Sequence, residues 1–210
     1  MAAQPFLAEM DNLSEPSKQK SNSFSFWQQS SGRKQIFLAI AAIGIGVAGA
    51  YGAIGFLVFV DTIQLLVYGS PSETVYQTAI TLKWWHRLVA PGLGGLMIGI
   101  FIHYFMTERR PHGVADVMEA TINNNGNLRL RDGLAATTAS AASIGVGASV
   151  GREGPVVHLL ASMASFFSRI FKVDKSTKIT LIGCGVASAV AASFNAPVAG
   201  AFFALEVIIG

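Results

Sequence analysis

Charged side chains are scarce in this 210-residue sequence. Asp, Glu, Lys and Arg together make up 13% of it, about half the share of an average soluble domain, while hydrophobic residues make up 51%. That balance argues against a soluble enzyme. Cys184 is the single cysteine, so no intramolecular disulfide can form. A basic surface is lacking too: 15 Lys and Arg against 12 Asp and Glu leave a formal charge of +3, scattered between apolar runs without aromatic interleaving. No nucleic-acid partner is expected. The 22 glycines and 7 prolines follow no triplet period and lie among long uncharged runs, which excludes collagen-like and disordered chains. The N-terminus has no charged start, short apolar core and small-residue cleavage site of a secretory signal. What remains is an all-α integral membrane protein with lipid as a partner.

Residues 1–34 are polar, with acids first (Glu9, Asp11, Glu15) and bases last (Lys18, Lys20, Arg33, Lys34), and read as a flexible tail. Gln35 to Val60 carries no charge, and at ~1.5 Å per residue it makes roughly 39 Å of helix against a ~30 Å hydrocarbon core. A polar interval follows from Asp61 to Arg87, where Trp84 and Trp85 beside Lys83 and Arg87 look like an interface anchor. Leu88 to Thr107 is a second uncharged span, whose Gly95 and Gly99 form a small-xxx-small pair suited to close helix approach. His112 to Ile122 is too short to cross, and Asn123 to Asn127 reads as a turn.

From Gly133 to Gly151 the chain is built of Ala, Gly, Ser and Thr, with Ala139, Ser143, Gly147 and Gly151 at i+4 spacing on one expected helix face. A second helical run to Ile170 follows Arg152 and Glu153, and this pair reads as re-entrant. Ile179 to Leu205 is uncharged but holds Asn195 and Pro197, so it divides into two pieces. Its Gly183, Ala187 and Ala191 repeat the small-residue stripe. Basic clusters at the tail, at Arg109 to Arg131 and at Arg169 to Lys178 predict that these parts, the N-terminus included, are cytoplasmic.

The sharpest motif is Gly151-Arg152-Glu153-Gly154-Pro155 at a helix start. A helix N-terminus concentrates unpaired N–H donors and partial positive charge, so it favours an anion. The Glu153 carboxylate could occupy that site and leave it when displaced or protonated, which makes Glu153 a candidate gate. The blander reading is that Arg152 and Glu153 pair in an interfacial loop. His112-Gly113-Val114 is a second candidate N-terminal anion site, with a solvated helix start as its bland alternative. Glu206 is an intramembrane acid near the end of the last apolar run. His86, His103 and His158 stand without acidic partners at ligand spacing, so neither a metal site nor a cofactor is expected. Gly147-Ala148-Ser149-Val150-Gly151 imitates a nucleophile elbow, but no His follows Asp174 to complete a triad, and hydrolase activity is not expected.

These residues resemble the CLC family of chloride channels and proton-coupled chloride exchangers. Gly151 to Pro155 is similar to the family's GREGP signature, and Ser193-Phe194-Asn195-Ala196-Pro197-Val198-Ala199-Gly200 to its F-N-A-P block. With His112-Gly113-Val114 the resemblance covers residues 35–210, the expected transmembrane region. It implies a bundle of tilted and broken helices forming one inverted repeat, with chloride as the transported ion. It further implies that Glu153 is the gating glutamate, and that amides around Gly151, Arg152, Gly154, Pro155 and Val156, and near His112, Gly113 and Val114, surround the anion.

Three departures stand out. The family's Gly-Ser-Gly-Ile-Pro reads Pro111-His112-Gly113-Val114-Ala115. The inner proton glutamate of exchangers aligns with Val207, one residue after Glu206, which favours passive conduction over exchange. The family's second half is not seen, so the chain reads as a first repeat expected to work as a homodimer or with a second half-chain, or else as a nonconducting unit.

Overall fold

A computed structural model describes residues 32–70, 74–106, 110 and 112–209. The expected tail, apart from its last three residues, and also Arg109 and Pro111 lie outside the described residues. The chain divides into two units, Met1–Ala39 and Ile40–Gly210. The first is described only from Gly32, where it opens helix α1. Everything below concerns the second.

All described elements are helical: α1 (Gly32–Tyr68), α2 (Val75–Thr81), α3 (Trp84–Phe105), α4 (Val114–Asn123), α5 (Leu130–Gly145), α6 (Glu153–Ile170), α7 (Lys175–Phe194), α8 (Pro197–Ala204) and a π-helical turn, Leu205–Ile209. Gln35–Tyr68, Trp84–Phe105 and Lys175–Phe194 are long and apolar enough to cross a membrane. The 37 residues of α1 run past the expected end at Val60, through the first part of the polar interval. No Gly or Pro lies between Asp61 and Tyr68, and Thr62 returns its hydroxyl to the Val58 carbonyl at 2.7 Å. Gly69, with φ +73°, stops the helix. His86 at the start of α3 bonds the Val67 carbonyl at 2.9 Å, which ties the end of α1 to the start of α3.

In lipid, apolar surface gives little drive for helices to associate, so small residues and backbone proximity decide which faces meet. On this test the stripes divide. Gly95 and Gly99 have open space where a side chain would go, and it is Gly94 that meets Val146. The expected pairing face of α3 is therefore one residue off within this chain, because spacing marks small residues and not the neighbour they meet. The α5 stripe is cut short: the helix ends at Gly145, and Gly147 turns left-handed at φ +100°. Only Ala139 and Ser143 share its face.

The stripe on α7 is used. A Cβ at Gly200 would lie 2.5 Å from the Ala187 carbonyl oxygen and 2.9 Å from the Ala191 nitrogen, so α8 folds back directly onto α7. The break that allows this is Asn195 in the left-handed region (φ 52°, ψ 38°), followed by Pro197 at the first position of α8. The sequence-level division of this run is thus realised at Asn195. On the other side of α7, a Cβ at Gly185 would lie 2.7 Å from the Leu160 carbonyl oxygen of α6. Leu160, Leu181, Ile182 and Val186 fill that seam and are fully buried.

Polar bonds fix the opposite end of these helices. Asp174 caps α7 by accepting the Thr177 N–H at 3.2 Å. Ser165 donates to the Gly126 carbonyl at 2.7 Å, Arg169 to the Leu128 carbonyl at 2.5 Å and Lys178 to the Asn127 side chain at 2.5 Å. The α4–α5 loop is thereby tied to the basic ends of α6 and α7.

Candidate functional site

Glu153 is the first residue of α6, with Arg152 as its cap and no side-chain cap bond. The first turn of a helix leaves its N–H groups without intrahelical partners. Here Val156 N–H reaches the Arg152 carbonyl at 3.4 Å, and Pro155 has no N–H at all. Pro155 therefore cannot donate to an anion, contrary to the expectation for the whole run. Glu153 and Gly154 supply the free donors of this turn. Pro155 instead offers its carbonyl to the Thr137 hydroxyl of α5 at 3.2 Å.

The α4 start lies against this one. A Cβ on Gly154 would sit 3.7 Å from Gly113 Cα, so the two helix N-termini meet glycine to glycine. Each carries roughly half a positive charge. At about 4 Å and an effective dielectric near 20, two such half-charges would attract a monovalent anion by about 4 kcal/mol, before the cost of its desolvation and the opposing Asp116 carboxylate are subtracted. The donors of α4 are partly spoken for. Asp116 reaches back to accept the Gly113 N–H at 2.6 Å and pairs with Arg110 at 2.7 Å. Gly113 N–H is thus satisfied within the chain, contrary to its expected role as an anion donor, and Val114 and Ala115 begin the exposed N–H row. A Gly-x-x-Asp pattern is the sequence signal for this back-reach.

Glu153 turns its carboxylate back toward Gly151: a Cβ there would be 3.2 Å from Glu153 Oε2, so glycine at 151 leaves room for it. Its other oxygen is 3.6 Å from Arg152 Nε, with the side chains 37% and 48% exposed. That is long for a charge-assisted bond, and an exposed pair of this kind is worth about 0–1 kcal/mol. Arg152 also donates to the Ser193 carbonyl at 3.5 Å, linking the α6 start to the α7–α8 break.

His112 is not at a solvated helix start. It is buried and stacks on His158 of α6, with ring centroids 5.1 Å apart and planes at 29°. His158 was not legible as part of this site, because the two rings are far apart in sequence and only the α4–α6 packing joins them. Glu206 lies in the π-helical turn and is exposed, while Val207 beside it is partly buried.

A family model described as voltage gated chloride channel matches residues 94–210, more than half of the chain. The chain belongs to the CLC family. It is 36% identical over 177 residues to a ClcB-like chloride channel protein of Ralstonia nicotianae, and 34% identical over 175 residues to the voltage-gated ClC-type chloride channel ClcB of Escherichia coli. In both cases the match covers 82% of this chain and 41% of the relative, so the chain spans about two fifths of the length of these curated relatives. The helical architecture and the three apolar helices agree with an integral membrane protein of the CLC family.

Proposed function

We propose that this chain forms one side of a chloride path, with the anion bound by the amides of the α4 and α6 N-termini and the Glu153 carboxylate competing for the same place. The carrying observation is the Gly113–Gly154 contact, which sums two partial positive charges at one point. Protonation of Glu153 removes its claim on the amides and opens the path. The α4–α5 loop and the ends of α6 and α7 gather Arg129, Arg131, Arg169 and Lys178, which supports a cytoplasmic assignment for that end, and the N-terminus is assigned to the cytoplasm on its own basic residues, Lys18, Lys20, Arg33 and Lys34.

These residues supply one side of a path, and an anion crossing lipid needs walls all round. A strictly monomeric sample of residues 1–210 in liposomes is therefore expected to pass no chloride, and a dimer or a complex with a second half-chain to be the conducting form. Chloride flux from monomeric protein would overturn this.

Passive conduction is favoured over proton-coupled exchange by Val207, which has no proton to give. In a conducting assembly, a chloride gradient should drive no protons uphill in a weakly buffered liposome assay. Sustained uphill proton movement that disappears in Glu206→Gln would establish the exchanger reading, with Glu206 as the relay.

A further inference from the structure

A cavity of about 340 Å³ runs between α4, the start of α5 and α6. It passes from exposed residues, Glu119 and Arg129, through the half-buried Asp116 and Asp132, to the buried rings of His112 and His158. His158 is 2% exposed, and its Nδ1 is enclosed without a hydrogen-bond partner. An orphaned ring nitrogen this deep is a vacant proton acceptor or donor.

The charged groups around it come from every element packed against it. From α4 come Asp116, paired with Arg110, and Glu119; from the α4–α5 loop comes Arg129; from α5 comes Asp132. On the side of α7, Lys178 is bonded to Asn127 of the cavity wall. Three carboxylates and the Arg129 guanidinium line the cavity, with Arg110 on Asp116, Lys178 on Asn127 and Arg169 on the Leu128 carbonyl at its wall, so the surrounding charges are close to balanced and the buried imidazoles are the groups that select a proton. The stacked rings are too close for both to be charged at little cost.

We infer that this cavity is a proton-entry funnel and that His112 and His158 together form a single-proton site at its inner end, loaded from the solution at its mouth. The proton comes from hydronium, and the ring that receives it becomes an imidazolium. Because His112 directly precedes the Gly113 cap of α4, that charge stands next to the two helix N-termini and strengthens their hold on an anion. Only this last consequence rests on the chloride reading.

The test is ring ¹⁵N NMR of histidine-labelled chain in nanodiscs, titrated from pH 8 to pH 4 in gluconate and then in chloride. The expected result is that His112 and His158 take up one proton between them. His112→Gln should raise the His158 midpoint by about one pH unit, and His103→Gln should leave it unmoved. If His112→Gln does not fold, His158→Gln gives the mirror measurement on His112. Independent titration, shown by an unmoved midpoint, or uptake of two protons by the pair, overturns the proposal. Chloride is expected to raise the pair's midpoint. A pair that shares one proton but is blind to chloride upholds the proton site and counts against the anion reading of the α4 and α6 N-termini.

Discussion

Glu153→Gln is expected to remove the steep pH dependence of chloride flux in a conducting assembly while leaving the path open, so that only the weaker dependence set by the His112–His158 pair remains. The wild-type carboxylate competes with chloride for the amides of the helix starts, so flux should follow the protonated fraction. Well above the midpoint that fraction, and the flux, falls about tenfold for each pH unit. Glutamine keeps the shape but has no charge to compete with. Arg152→Gln is the contrasting variant. The exposed Arg152–Glu153 pair at 3.6 Å is worth about 0–1 kcal/mol, so its loss should change flux by no more than about fivefold and keep the pH profile. Stopped-flow chloride efflux between pH 4 and pH 8 reads both. Equal, mild effects of the two substitutions would return the pair to a loop contact.

Gly185→Val should destabilise the bundle strongly. At this position a Cβ would lie 2.7 Å from the Leu160 carbonyl oxygen and 3.1 Å from its carbon, both backbone atoms of α6 that cannot turn aside. Relief requires α6 and α7 to separate along the seam that buries Leu160, Leu181 and Val186. Overpacking alone costs about 1–3 kcal/mol, and losing the close approach adds to it, against a total stability of about 5–15 kcal/mol. Thermal unfolding and size-exclusion profiles in detergent should show a large fall in melting temperature or no monodisperse protein. Gly95→Ala, with nothing within 4 Å of the new methyl group, should leave the isolated chain as stable as wild type or stabilise it by about 0.5–1 kcal/mol. Equal behaviour of the two variants would mean that the α6–α7 contact does not hold the bundle together.

The difference between these glycines shows where sequence reading succeeds and where it stops. The apolar runs of α1 and α3, the break at Asn195 and Pro197, and Glu153 at a helix start follow from local chemistry: uncharged length, a left-handed turn residue, a proline at a first position. Which small residues touch another helix does not. Gly94 and Gly95 are equally small, and only the placement of Val146 makes the first a contact. The same holds at the site. The Gly113 N–H was expected to face an anion, and Asp116 takes it, through a reach-back that its i+3 spacing signals. The stacking of His112 on His158 has no local signal, because it is created by bringing the starts of α4 and α6 together.

The central claim is that an anion sits where these two helix starts meet, and bromide locates it directly. Bromide-soaked crystals of Glu153→Gln in a conducting assembly, recorded at the bromine absorption edge, should show an anomalous peak at hydrogen-bonding distance from the N–H groups of the α6 first turn, beside Gly113. Strong anomalous peaks elsewhere in the protein with none between Gly113 and Gly154 would contradict the account.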